Sequence, residues 1–135
     1  MAAIQEGIRL SQDRLIDFGN YEIKDKLKAK LNLNGDEYAV KTHAEITRLE
    51  KNGALLIEAV PGAVLLGFSA DEDEVSFSAE GKQNTHFTLE LIPETVYALS
   101  VAGKSIGAVK TSLSGKINFG AELSENPVEI AVKKA

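Results

Sequence analysis

Four lysines at alternate positions are the residues of this chain whose type and spacing most plainly suggest chemistry. Lys24, Lys26, Lys28 and Lys30 occupy every even position in the first part of the segment from Ile23 to Leu33, whose odd positions are mainly apolar. Alternate side chains of a strand point to opposite faces, so the lysines would form a ladder opposite an apolar face. Such a ladder could bind an anionic polymer or an acidic face of another copy. The alternative is a solvated strand face whose lysines discourage edge-to-edge aggregation.

A run of four carboxylates is the natural counterpart of the lysine ladder. Asp71, Glu72, Asp73 and Glu74 follow one another directly. Calcium binds six to eight oxygen ligands, which makes Asp71 and Asp73 candidate ligands. Consecutive carboxylates cannot all converge on one ion, however, and the alternating aspartate pattern of a calcium loop is absent. An exposed acidic loop is therefore the favoured interpretation.

The chain offers few residues for catalysis. It contains no cysteine, and its only histidines are His43 and His86. The two histidines could share a metal ion if their strands were neighbours. No local signature of a catalytic triad, a phosphate-binding loop or a paired set of catalytic carboxylates emerges. We therefore predict a protein that is not an enzyme and has no catalytic residues and no cofactor.

The composition of the chain indicates which classes of partner and which cellular locations to expect. The formal net charge of −5 over 135 residues argues against nonspecific binding of nucleic acid, which needs a basic surface. The longest apolar stretches fall far short of the ~20 residues of a membrane helix, so no membrane insertion is predicted. Residues 1–9 have no apolar signal region, which predicts a cytoplasmic protein. An extracellular or surface location by non-classical release stays open.

Alternation of apolar and polar residues recurs almost to the C-terminus and predicts the elements that position these groups. Asn34-Gly35 and Asn52-Gly53 are strong hairpin signals, and Ala102-Gly103-Lys104 is typical of a three-residue hairpin loop. Roughly ten short strands with regular turn signals indicate a sandwich or barrel. We predict an all-β protein, a single antiparallel β-sandwich of immunoglobulin or fibronectin-III type with additional N-terminal strands. Residues 1–20 would form an N-terminal hairpin or arm and residues 21–135 the sandwich, as one structural unit.

Several segments of the chain resemble a group of small bacterial proteins that are often labelled endosialidases. The resemblance lies in residues 4–6, 18–21, 35–42, 45–53 and 60–62, and it continues through residues 110–116. It implies no transferable catalytic residues. Sialidases are large propellers with an arginine triad and tryptophan-containing Asp boxes, whereas this short chain has no tryptophan and only Arg9, Arg14 and Arg48. Residues 95–133 separately resemble the last strands of fibronectin-III-like accessory modules, which bind or assemble.

These observations favour a structural or interaction protein that self-associates into a homo-oligomer or fibre. An N-terminal arm could add a strand to a neighbouring sheet, and the face from Lys24 to Lys30 could meet Asp71–Glu74 of the next copy. The predicted partners are other copies of the chain. The first alternative is a carbohydrate-binding accessory module with exposed aromatic residues, for which a glycan is the partner. A sialidase-like glycoside hydrolase is the remote alternative.

Overall fold

Two antiparallel sheets face each other and enclose the core. A computed structural model describes residues 4–135 of the chain. Within these residues, sheet one has seven strands in the order β1-β2-β7-β8-β13-β10-β11, and sheet two has six in the order β12-β9-β6-β5-β4-β3. The strands of sheet one are β1 (Ile8–Leu10), β2 (Ile16–Phe18), β7 (Val64–Ala70), β8 (Glu74–Glu80), β10 (Val96–Val101), β11 (Lys104–Lys110) and β13 (Val128–Lys134). The strands of sheet two are β3 (Leu27–Leu33), β4 (Asp36–His43), β5 (Ile46–Lys51), β6 (Ala54–Val60), β9 (Thr85–Glu90) and β12 (Lys116–Ala121).

This architecture confirms the predicted all-β antiparallel sandwich with additional N-terminal strands. The assignment to the immunoglobulin or fibronectin-III type stays a prediction. Among residues 4–135 there is no helix long and apolar enough to span a membrane.

Tight turns set the register of the hairpins. Asn34 and Gly35 have φ of 53° and 84°, and Asn52 and Gly53 have φ of 51° and 85°, so both predicted Asn-Gly turns are confirmed. Two residues with positive φ match the right-handed twist of the flanking strands. The third predicted loop is one residue shorter than expected, because Lys104 already pairs with Val101.

Five phenylalanines form a continuous row through the core. Phe18, Phe68 and Phe77 of sheet one are followed by Phe87 and Phe119 of sheet two, with successive ring centroids 5.4 to 5.9 Å apart. All five are buried. Aromatic pairs at such separations contribute about 0.5–1.5 kcal/mol each beyond their area burial. This row holds the two sheets at the spacing that the rest of the sandwich requires.

Two buried threonines tie the N-terminal segment to both sheets. The hydroxyls of Thr42 and Thr47 lie 2.8 Å apart, and the backbone N–H of Asn20 donates to Thr42 Oγ1 at 2.9 Å. Thr47 Oγ1 accepts from the N–H of Ala63 and donates to its carbonyl, both at 3.1 Å. The described part of the predicted arm therefore pairs within its own chain, because β2 also joins β7 in sheet one.

Candidate functional site

The outer face of sheet two contains a depression of about 530 Å³ with a strongly charged rim. Its floor is Ala39 on β4, whose methyl group is far shorter than the lysine, arginine and glutamate side chains around it. Lys30 of β3 and Glu50 of β5 lie directly opposite Ala39 on either side. Adjacent strands are about 4.8 Å apart, so long side chains on three strands surround a short one and leave a hollow between them.

A row of three cations crosses the sheet beside this hollow. Lys28 of β3 is the register partner of Lys41 on β4, and Lys41 is the register partner of Arg48 on β5. Like charges directly opposite each other on neighbouring strands are destabilising. The arrangement is therefore a local electrostatic cost that the rest of the sheet has to offset.

Arg48 is compensated by carboxylates, and the two lysines are not. Arg48 Nε lies 3.0 Å from Glu50 Oε2, and its Nη1 lies 2.9 Å from Glu58 Oε2. Burial alone would lower the pKa of the Arg48 guanidinium, but the hydrogen bonds and charges of Glu50 and Glu58 outweigh it and raise that pKa. No carboxylate of residues 4–135 lies within 4.0 Å of the ammonium of Lys28 or Lys41.

The remaining lysine of the rim has only a loose partner. Lys30 Nζ lies 3.7 Å from Glu37 Oε1, and both side chains are largely exposed. An exposed pair at this distance contributes little to stability. Three lysines thus line a hollow whose own carboxylate, Glu50, is already engaged with Arg48.

The structure separates the four predicted lysines into two pairs. Lys28 and Lys30 lie on β3 and line the hollow, whereas Lys24 and Lys26 precede the first residue of that strand. The predicted strand from residue 23 to 33 is therefore too long at its N-terminal end. The carbonyl of Ile23 accepts a hydrogen bond from the N–H of Ala44 in the β4–β5 turn, and the chain bends at residues 24 and 25 before β3 begins at Leu27.

The predicted acidic group forms the turn between β7 and β8. Asp71 Oδ1 accepts the backbone N–H groups of Asp73 and Glu74 at 2.8 and 2.9 Å, and Glu74 lies 3.9 Å from Lys133. One oxygen of Asp71 is thus occupied by its own turn, and Glu72 and Asp73 are exposed. Within residues 4–135, no cluster of three or more histidine, aspartate or glutamate side chains could hold a metal ion.

The other candidate groups do not converge on one site. His43 is on β4 and His86 on β9, with β5 and β6 between them, a separation of roughly 14 Å across the sheet. Arg9 of β1 is paired with Asp17 at 3.0 Å in sheet one, whereas Arg48 lies in sheet two. Arg14 lies in the turn between β1 and β2.

Lys41, Arg48, Glu50 and Glu58 are the site residues that sequence reasoning missed. The pairing register of the strands, rather than the composition, is the signal that could have identified these residues. A two-residue Asn34-Gly35 turn places Leu33 opposite Asp36, and counting back along both strands brings Lys28 opposite Lys41. The turn after His43 places Lys41 opposite Arg48 by the same count.

No family model matches the chain, and no curated protein or solved structure matches it.

Proposed function

We propose that this protein is a non-catalytic structural or interaction protein that self-associates by strand addition at β11. The observation that carries the proposal is the exposure of this edge strand. All seven residues of β11 are exposed on both faces, and within the described chain the strand pairs with β10 alone. An unpaired edge presents a row of free N–H and C=O groups to another strand.

The other sheet edges are less suited to strand addition. β1 has only three residues. β3 lies against β1, with Gly7 packed on the Leu27 side chain. β12 pairs on one side only, but Ile117 and Phe119 bury its inner face in the core. Because β11 projects from the sandwich, a second strand can approach its edge without disturbing that core.

A second copy of β11 is the partner that this edge fits. Within β11, Ile106 is the extra residue of a β-bulge against β10, because Gly107 pairs with Leu99 and Ser105 with Ser100. An antiparallel pair centred on Gly107 places Ile106 near Ala108 and Lys104 near Lys110 on both sides of the two-fold axis, so apolar contact has to offset the repulsion of two lysine pairs. Ile106 and Val109 are 49% and 37% exposed, and pairing would remove apolar surface from water. The pair closes on itself, which predicts a dimer rather than a fibre.

The predicted contact between the lysine ladder and the acidic turn has a smaller role in this proposal. Only Lys28 and Lys30 of the ladder lie on a strand, and one oxygen of Asp71 is tied into its own turn. A contact between these groups on two copies would consist of exposed ion pairs, which are worth little and are screened by salt.

Light scattering across salt concentrations tests the proposal. We expect a molar mass of twice the 14.5 kDa chain that persists at high salt, because salt screens the repulsion between the lysine pairs and leaves the ladder hydrogen bonds and apolar contacts intact. Ile106→Lys should give a monomer. Leu113→Lys is the matched control, since Leu113 is 82% exposed in the loop after β11 and lies outside the edge.

Two results would overturn the assignment. A monomer at every concentration and salt would remove self-association altogether. A dimer that dissociates at high salt and is unaffected by Ile106→Lys would place the dimer interface at the charged groups instead of at β11.

No structural observation favours the carbohydrate-binding alternative in its predicted form. That form needs exposed aromatic rings, but seven of the eight aromatic residues are buried. The eighth, Tyr38, is half-buried and has Lys51 Nζ 6.0 Å from its ring centroid.

A further inference from the structure

The hollow over Ala39 is a separate feature from the β11 edge, since it lies on the outer face of the opposite sheet. We propose that it binds a small polyhydroxylated ligand that carries a phosphate or sulfate ester. The site consists of Lys28, Lys30 and Lys41 as the anion-binding group and Glu50 as the hydroxyl-binding group.

The uncompensated lysines supply the first argument. Lys28 and Lys41 face each other across β3 and β4, and no carboxylate of residues 4–135 is within 4.0 Å of either ammonium. A tetrahedral oxyanion seated between them accepts hydrogen bonds from both and removes their mutual repulsion. Charge-assisted hydrogen bonds of this kind are about twice as strong as neutral ones.

The local charge contrasts with that of the whole chain. The protein has a net charge of −5, yet three lysines and Arg48 line this one hollow. Arg48 together with Glu50 and Glu58 carries a net negative charge, so the positive charge of the hollow belongs to the three lysines.

Glu50 supplies the argument for a hydroxylated ligand rather than a bare ion. Its Oε2 accepts from Arg48 at 3.0 Å, and within residues 4–135 no hydrogen bond reaches its Oε1. A carboxylate oxygen in this position repels a second anionic group but accepts a hydrogen bond from a hydroxyl. The Ala39 floor leaves about 530 Å³, a volume in the range of small-molecule pockets.

An acidic turn from a second copy is the competing occupant. Its carboxylates lie at the β7–β8 turn, where Asp71 Oδ1 already accepts two backbone N–H groups and Glu74 lies near Lys133. Glu50 would repel the remaining carboxylates of Glu72 and Asp73, and residues 71–74 have no hydroxyl to donate to Glu50 Oε1. The small ligand therefore fits the hollow better than the turn does.

The test is a titration of ¹⁵N-labelled protein monitored by amide chemical shifts, with glucose 6-phosphate, glucose 6-sulfate, glucose, inorganic phosphate and inorganic sulfate as probes. We expect saturable shifts centred on Ala39 and its neighbours on β3 and β5 with at least one of the two esters. Glucose should cause none, and the inorganic ions should bind about tenfold more weakly than the ester, because they lack the hydroxyl contact to Glu50. The relative affinities of the phosphate and sulfate esters distinguish the two sources of the anionic group.

Variants separate binding from folding. Lys28→Gln and Lys41→Gln should each weaken ester binding about tenfold or more. Their thermal midpoints should equal or exceed that of the unmodified protein, since each relieves the repulsion between the two lysines. Lys116→Gln, on the outer face of β12 in the same sheet, is the matched control and should bind normally.

Three results would overturn the proposal. These are the absence of saturable shifts with both esters, ester shifts that persist unchanged in Lys28→Gln and Lys41→Gln, and equal affinity for the ester and the inorganic ion. Shifts at Ala39 that grow with protein concentration alone would assign the hollow to the acidic turn of another copy.

Discussion

The pairing of Tyr21 with Glu80 gives a prediction about stability at high pH. The Tyr21 hydroxyl donates to Glu80 Oε2 at 3.0 Å, and the two side chains are 6% and 0% exposed. Burial, and then the hydrogen bond and negative charge of Glu80, raise the pKa of Tyr21 from 10.0 to about 12. The proton therefore binds more tightly to this phenol in the folded chain than in the unfolded chain.

The sign and the size of the effect follow from linkage. A folded-state pKa above the unfolded value stabilises the protein fully below pH 10, and this contribution disappears as the pH rises from 10 to about 12. Two pKa units correspond to about 2 to 3 kcal/mol. A domain of this size has a total free energy of unfolding of about 5–15 kcal/mol, so the loss is large enough to measure.

Tyr21→Phe is the perturbation that isolates this contribution. At about pH 8 we expect the free energy of unfolding to fall by about 1.5–3 kcal/mol, because the buried Glu80 carboxylate loses the hydrogen bond to Oε2 and its Oε1 already has no partner among the described residues. Near pH 12 the difference between the variant and the unmodified protein should shrink to almost nothing, because the tyrosinate no longer donates.

Urea unfolding at a series of pH values from about 8 to about 12 measures the two curves. Tyr38→Phe is the control, since it removes a half-buried phenol that lies away from Glu80, and it should retain the loss of stability between pH 10 and about 12. A constant difference between Tyr21→Phe and the unmodified protein over the whole range would refute the linkage between Tyr21 and Glu80.

Three further substitutions test the packing that positions both surfaces. Phe87→Ala, the fourth of the five rings in the aromatic row and 0% exposed, should cost about 3–5 kcal/mol of unfolding free energy, measured by urea unfolding. Gly19→Ala should cost more than Gly35→Ala by thermal unfolding, because both glycines have positive φ but only at Gly19 would a Cβ lie 2.1 Å from the Ala63 carbonyl oxygen. Thr47→Val should cost about 1–3 kcal/mol and Thr47→Ser much less, since serine keeps the hydroxyl that bonds Ala63; equal losses would contradict this role of the hydroxyl.

Much of the fold could be predicted from the sequence because its signals are local. Alternation defines the strands, and an Asn-Gly pair defines both the turn and the register of the hairpin that it closes. The order of strands within each sheet could not be predicted in this way. β13 lies between β8 and β10, a placement decided by long-range pairing that leaves no local pattern.

The candidate site illustrates the same division. Lys28 and Lys30 were predicted from alternation, and Lys41 and Arg48 could have been added by counting register from the turns. The hollow itself could not be predicted from the sequence, because it depends on the short side chain of Ala39 lying between long side chains on three strands.

Unfavourable local features connect the two proposals with the Tyr21–Glu80 prediction. Lys28 faces Lys41 across neighbouring strands, Glu80 is buried with one oxygen unpaired among residues 4–135, and β11 exposes an apolar edge. Each departs from the rule that local preferences agree with the global fold, and such departures in natural chains concentrate at functional or strained positions. Glu80 is bonded to Tyr21 and is the register partner of Val64, so it is buried and its cost is structural. The lysine pair and the β11 edge face solvent, where a bound anion or a second strand would remove the cost, and this exposure supports the two proposals of binding at these positions.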